Sequence, residues 1–231
     1  MTDQCFWYLE NVDLKMMMSP QKMMEAQEKL LHRHFKKGEN IYLPQDLADK
    51  VYFVQTGRVK IGNYSDQGKE ITKTILGEGE IFGELGLIGT EKHRDFAVAL
   101  EDVTLCIMTV EEMKAMMKQY SGLSLFFMKM MGARVLEMEQ RLESMVFKDS
   151  RTRIIEYLLY LVEKKGQRVG YEMLVRRFLT HQEIANLTAT SRQTVTTVLN
   201  DLRSRNIITF NRRRLLVRDL EQLTNEINKT V

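Results

Sequence analysis

The chain has 231 residues, 44% of them hydrophobic and 28% charged, with only two prolines and a net charge of +3; that is enough for one large or two small packed domains, and it excludes a disordered or collagen-like chain. Asp3 and Glu10 interrupt the start where a secretory signal needs a basic head and an apolar run, and no 18-residue apolar stretch follows, so neither export nor a membrane span is expected and the cytoplasm is. Cys5 and Cys106 lie far apart and make no C-x-x-C pair, which excludes a disulfide framework or a four-cysteine cluster and predicts two free thiols, with Cys106 buried in a strand.

In chain order, Ser19-Pro20 and residues 21–33 read as a helix. Residues 35–110 then break into short apolar or alternating runs, at 40–43, 50–55, 58–64, 70–76, 96–100 and 104–109, with glycines in or beside the breaks. That pattern predicts an antiparallel β domain, a barrel or roll. Residues 111–119 read as a short helix. Beyond it Met128, Met131, Val135, Met138, Leu142 and Met145 recur at spacings of 3 and 4, the apolar seam of a coiled coil, with charged residues off the seam. The pattern predicts a parallel dimer through this helix. Asp149 and Ser150, both N-cap types, mark a boundary before the apolar run that starts at Ile154. Three regions follow: 1–118, 119–147 and 148–231. The last carries 16 Lys and Arg against 9 Asp and Glu, a net +7, while residues 1–147 carry a net −4. A polyanionic partner is expected at the basic end.

Within that end lies LTHQEIANLTATSRQTVTTVLNDLRSRNII, residues 179–208. Thr180 and Glu183 form a capping box that opens a short helix, Thr188-Ala189-Thr190 turns, and Ser191 caps a second helix whose Val195, Val198, Leu199 and Leu202 face inward. Its outer face offers Arg192, Gln193, Thr196 and Thr197, side chains able to bond base edges in a major groove. Thr180, Gln182, Ser191 and Thr194 stand at helix starts, where hydroxyls and amides meet phosphate. Residues 207–210 and 215–217 read as a hairpin with Arg212, Arg213 and Arg214 at its tip, a wing for the phosphate backbone of duplex DNA.

With these segments together, the chain resembles the cyclic-AMP receptor protein and fumarate/nitrate-reduction regulator (CRP/FNR) superfamily of bacterial transcription factors. The likeness runs from about residue 20 onward, through YFVQTGRVKIGNYSDQGKE, GELGLIGTEKHR, DSRTRIIEYLL and TSRQTVTTVLNDL in that order. It implies an α+β fold: an N-terminal antiparallel β-roll of the cyclic-nucleotide-binding type, a long dimerisation helix and a C-terminal winged helix-turn-helix. It further implies a homodimer that binds a pseudo-palindromic operator under control of an effector, with RNA polymerase as a partner. Arg192 matches the guanine-reading arginine of the family, Gln193 stands where a glutamate is common, and Thr197 replaces a frequent arginine. A protein-directed sensor whose winged domain is an interaction module is the other reading.

The resemblance also marks a ligand pocket at Gly83, Glu84, Leu85, Arg94, Asp95 and Phe96, with Met138 and Glu139 from the long helix. Glu84 and Arg94 match the ribose- and phosphate-binding pair of cyclic-AMP binders. Asp95 takes the place of a small hydroxyl residue, and Phe96 that of an alanine. A carboxylate within ~4 Å of a phosphate costs on the order of a few kcal/mol at a partly shielded site, and Asp95 could also pair with Arg94 and neutralise it. Met138 and Glu139 lack the hydroxyls that hold adenine. Cyclic AMP is therefore not expected, and Glu84 with Arg94 is either a structural ion pair or part of a site for another effector, whose identity stays open. An iron–sulfur cluster lacks its cysteines. Haem would have to use His32, His34, His93, His181 or one of the 16 methionines, and methionine at helical spacing is core filler, so haem is not expected either; nor is a metal site, since His32-x-His34 has no third ligand nearby. No catalytic residues are expected: Gly62 and Gly68-Lys69 miss the P-loop spacing, Gly77, Gly79 and Gly83 miss the dinucleotide fingerprint, and G-x-S-x-G and H-E-x-x-H are absent.

Overall fold

The computed structural model describes residues 8–9, 12–13, 31–66, 68 and 70–228. Contacts divide the chain into two compact units, residues 1–135 and 136–231, with the division inside the long helix.

The first unit opens with a two-stranded ribbon, β1 (Tyr8–Leu9) and β2 (Val12–Asp13). Eight further strands follow: β3 (Leu31–Phe35), β4 (Asn40–Tyr42), β5 (Lys50–Thr56), β6 (Val59–Tyr64), β7 (Glu70–Leu76), β8 (Ile81–Phe82), β9 (Phe96–Ala99) and β10 (Val103–Thr109). They form two antiparallel sheets, ordered β3-β10-β5-β8 and β4-β9-β6-β7. Tyr52 and Val54 of β5 and Leu105 and Ile107 of β10 turn into the roll, where they meet Val59, Ile61, Leu76 and Ala97. Their alternates Val51, Phe53, Cys106 and Met108 point the other way and are covered by helix α1 (Val110–Gln119) and the start of α2 (Ser121–Phe147), through Met113, Met116, Leu123, Phe126 and Phe127. Burial on both faces explains why these two strands read as unbroken apolar runs rather than as alternation.

The helix expected over 21–33 lies outside the described residues up to position 30, and its last three residues are corrected: Leu31, His32 and Arg33 are strand, paired with Ile107, Cys106 and Leu105. Ladder bonds to a buried neighbour override local helical spacing. Cys106 is fully buried in its strand, as expected. It is disulfide-bonded, however, not the free thiol that sequence distance suggested. Separation along a chain sets no lower limit on separation in a fold, and Cys5 lies outside the described residues.

The second unit takes the end of α2, then α3 (Ser150–Lys165), β11 (Gly166–Val169), β12 (Glu172–Arg176), α4 (His181–Thr188), α5 (Arg192–Ser204), β13 (Ile208–Phe210), β14 (Arg214–Val217) and α6 (Leu220–Asn228). Asp149 caps α3 as expected, accepting from the Thr152 amide at 2.7 Å. The strands form one antiparallel sheet, β11-β12-β14-β13. Ile154, Leu158, Ile184, Val195, Leu199, Leu202, Ile208 and Leu215 are fully buried between helices and sheet. A polar cluster closes the far side of α5: Glu226, 3% exposed, takes both ends of the Arg205 guanidinium at 2.5 and 2.6 Å and Arg151 at 2.9 Å.

Candidate nucleic-acid interface and ligand pocket

Helices α4 and α5 are built from local signals. The Thr180 hydroxyl accepts from the Glu183 amide at 3.2 Å, and the Glu183 carboxylate accepts from the Thr180 amide at 2.7 Å. Ile184, Ala185 and Leu187 are buried below. Ala189 ends α4 in the left-handed region, φ 50°, where an alanine is less favourable than glycine by about 1 kcal/mol. The carbonyls around it are gripped by arginines: Arg153 donates to the Thr188 and Ala189 oxygens at 3.0 and 3.1 Å, and Arg141 to the Leu187 oxygen. Ser191 then caps α5, accepting from the Thr194 amide at 3.0 Å.

Val195, Val198, Leu199 and Leu202 fix one face of α5 in the core, which leaves Arg192, Gln193 and Thr197 exposed on the other. Thr196 is half-buried; its hydroxyl donates to the Arg192 carbonyl at 2.9 Å and meets His181 Nδ1 at 2.8 Å, so it is the least open of the four base-reading candidates. Burial, and then the nearby Arg192 charge, lower the His181 pKa. The four helix-start candidates fall at the starts of the two helices, Thr180 and Gln182 at α4 and Ser191 and Thr194 at α5. Thr180 and Ser191 serve as caps, Ser191 and Thr194 hydroxyls are 2.8 Å apart, and Gln182 donates to Asn186 at 2.8 Å. At the wing tip the Asn211 side-chain oxygen accepts from the Arg213 and Arg214 amides at 2.9 and 3.0 Å, a turn that leaves Arg212, Arg213 and Arg214 exposed.

The ligand-pocket candidates are arranged differently from the expected ion pair. Gly83 has φ 79°, and a Cβ there would stand 2.6 Å from the Lys50 carbonyl oxygen, so glycine is required to start the 3-10 turn Glu84–Ile88. Glu84 is buried and pairs with Arg134 of α2, not with Arg94, while the same guanidinium donates to the Ile81 carbonyl. Asp95 pairs with Lys73 at 3.1 Å, so it does not neutralise Arg94, which is exposed and makes no ion pair among the described residues. Sequence adjacency suggests Arg94 for Asp95; the fold supplies a cation 22 positions away. Phe96, 1% exposed, stacks on Tyr64 at 4.7 Å and lies over Gly62, where a Cβ would come within 2.6 Å of its ring. Leu85 is exposed at the surface of the turn, and Met138 and Glu139 are exposed on α2. A cavity of about 130 Å³ touches Arg33, Phe35, Lys50 and Tyr52 and none of these candidates.

His93 lies beside the pocket segment, and sequence alone offers it only as a haem candidate. It is 5% exposed and stacks flat on Tyr42, with ring centres 3.6 Å apart. Burial lowers its pKa against the pull of Asp95, Asp46, Asp49 and Glu84, and burial first, then Asp95 and Glu84, pushes the Tyr42 phenol far up. Neutral His93 is thus the folded form. Because the unfolded chain takes up its proton near pH ~6.5 and the folded one only below that, stability is full above that value and falls as pH drops through it. His93→Phe keeps the stack and should flatten this loss: the difference in urea midpoint between pH 7.5 and 5.5 will be smaller in the variant, and an unchanged difference would assign the titration elsewhere.

Arg134, Arg141, Arg153 and Lys73 were all missed as partners in these sites. The available signal was a pair of arginines seven residues apart, hence on one side of α2 and off the apolar seam.

Comparison with known proteins agrees with the geometry. Residues 32–120 match the cyclic nucleotide-binding domain family, and residues 152–226 the Crp-like helix-turn-helix domain family. The chain is 30% identical over 194 residues to the global nitrogen regulator of Synechocystis sp., covering 83% of this chain and 86% of the relative. It is 27% identical over 189 residues to the CRP-like cAMP-activated global transcriptional regulator of Mycobacterium tuberculosis, covering 82% and 84%. Among solved structures, a CooA variant from Carboxydothermus hydrogenoformans superposes with a TM-score of 0.76 at 27% identity, over 88% of this chain and 90% of that one.

Proposed function

The chain belongs to the CRP/FNR superfamily of DNA-binding transcriptional regulators, and from this premise we propose a homodimer, closed through α2, that reads a pseudo-palindromic operator with one α5 from each copy. The observation that carries the reading is the outer face of α5, where Arg192, Gln193 and Thr197 stand exposed on a buried scaffold in the same unit as a wing tipped by three exposed arginines. Residues 148–231 are the DNA-binding head, 119–147 the dimerisation helix and 1–118 the effector region. Arg192, Gln193 and Thr197 contact base edges, with Thr196 buttressing them; Thr180, Gln182, Ser191, Thr194 and the three wing arginines contact phosphates. The protein works in the cytoplasm, meets RNA polymerase at its promoters, and carries out no catalysis.

Support for the dimer comes from the same helix. Met128, Val135, Met138 and Leu142 are 69, 52, 66 and 62% exposed on a helix of 27 residues, and a row of apolar side chains at seam spacing calls for a mate. Two heads joined this way place their recognition helices about 34 Å apart, one turn of DNA.

The wing gives a test that separates phosphate from base contacts. Arg213→Ala should lower affinity for operator and random duplex in the same proportion and shallow the slope of log K against log salt by about 1. A loss confined to the operator would move Arg213 to the base-reading set.

Cyclic AMP is not the effector on this reading. Glu84, the carboxylate that would take a ribose hydroxyl, is engaged by Arg134, and Asp95 stands at the phosphate end. Calorimetric titration of the full-length protein with cyclic AMP should give no binding at micromolar ligand. Micromolar affinity would require Arg134 to leave Glu84 and would overturn the assignment.

A further inference from the structure

We propose that Arg141 is a positioning residue: through the Leu187 carbonyl it fixes the helix-turn-helix to the dimerisation helix and so sets the half-site spacing the dimer accepts. The inference rests on the dimeric DNA-binding reading above and adds to it the residue that holds the geometry.

A helix ends with carbonyls that have no partner of their own, and the end of α4 is also the turn that aims α5. Leu187 lies four positions before Ser191, the cap of the recognition helix. Three consecutive carbonyls at this end are taken by arginine: Leu187 by Arg141, Thr188 and Ala189 by Arg153. The two arginines have different origins. Arg153 belongs to α3, inside the head, and also holds the Lys148 carbonyl at 2.8 Å. Arg141 belongs to α2, so its bond runs from the dimerisation helix straight to the turn.

Further polar contacts also join this end of α2 to the head. Glu137 and Lys164 are 3.8 Å apart and both exposed, and Ser144 and Lys148 share Glu156 of α3. An exposed pair such as Glu137 and Lys164 contributes about 0–1 kcal/mol and tolerates sliding, because lysine is a point charge on a flexible stem. A guanidinium is planar, with donors in a fixed fork, and keeps its proton. Burial lowers the Arg141 pKa, with the Tyr157 and Tyr160 phenols nearby on α3. A cation drawn partly out of water is favourable only where it is hydrogen-bonded, and the Leu187 carbonyl supplies such a partner. Met138, Leu142 and Val146, by contrast, stand exposed and do not fasten this stretch of α2 to the head.

The test uses full-length protein and a set of duplexes bearing two copies of the half-site selected by the wild type, with the spacing varied by one to three base pairs either side of the preferred value. Wild-type affinity should fall about 10-fold or more for the first base pair of displacement, because both recognition helices must meet successive grooves. Arg141→Ala should bring the whole series within about 3-fold while keeping the same half-site sequence preference. Arg141→Lys, which retains a cationic donor but not the planar fork, should recover the peak only in part and leave the profile broader than that of the wild type. If Arg141→Ala does not fold, Arg141→Met keeps the stem, removes the donors and is read in the same way. A variant profile as sharp as the wild type, or one lowered equally at every spacing, overturns the proposal. A wild type with no preferred spacing would instead sink the dimeric reading, and this inference with it.

Discussion

Leu142→Lys should leave the protein monomeric at micromolar concentration and lower its affinity for a two-half-site operator by about 100-fold or more. In the proposed dimer the seam runs along α2 through Met128, Met131, Val135, Met138, Leu142 and Met145, and Leu142 is 62% exposed in the single chain. Two-fold symmetry brings each lysine near its own copy, so the substitution removes an apolar contact twice and places two like charges in a surface that must lose its water. A single head then binds one half-site with an affinity close to that for random DNA. Gln140→Lys is the control: it adds the same single charge two positions earlier, off the seam on an exposed site, and should leave both mass and affinity as they were. Sedimentation equilibrium and a duplex titration read the two effects, and a dimeric Leu142→Lys protein would place the dimer contact elsewhere.

Arg192→Ala should cost about 1–3 kcal/mol per half-site, a loss of roughly 10- to 100-fold, and relax the base preference at one position in each half. Arg192 is the first residue of α5, exposed and directed by the Ser191 cap, with the apolar face of the helix locked in the core behind it. A guanidinium there can bond guanine N7 and O6 together, which a lysine does with less directionality. Random duplex should be bound nearly as well by the variant as by the wild type, because only the base-edge bonds are lost. Equal losses on operator and random DNA would make Arg192 a phosphate contact and pass the reading of sequence to Gln193 and Thr197.

What the sequence displayed openly was whatever rests on local chemistry. Thr180 with Glu183, Ser191, Asp149 and the buried spacing of Val195, Val198, Leu199 and Leu202 are all settled within four or five residues, and each stands where it was expected. Six strands of the roll were visible for the same reason. Strand β8 was not, because two residues carry no period, and Ile81–Phe82 is strand only through its pairing with β5. Hairpin β11–β12 was hidden because β11 is mostly exposed, β12 is mostly half-buried, and neither shows alternation. Helix α6 was passed over although Leu223 and Glu226 anchor it, since the partners of Glu226 are Arg151 on α3 and Arg205 just after α5.

The ligand pocket was the harder case. Glu84 and Arg134 are 50 positions apart, and Asp95 and Lys73 are 22. Sequence can show that a carboxylate and an arginine exist, but the choice among several candidate partners is made by the packing of strands and helix. The same holds for Arg141 and Leu187, where the acceptor is a backbone carbonyl and has no sequence signature at all. Phe96 and Gly62 form a more legible pair in hindsight, since a glycine inside a strand often marks the close approach of a bulky neighbour.

The central claim is that two copies of this chain read one symmetric stretch of DNA. The most direct measurement is selection of duplexes from a random pool by the purified full-length protein at fixed salt, followed by sequencing of the bound fraction. The expected result is a pseudo-palindrome whose half-site centres are separated by one helical turn, about 10 base pairs. Enrichment of a single asymmetric site, or of no sequence at all, would contradict it.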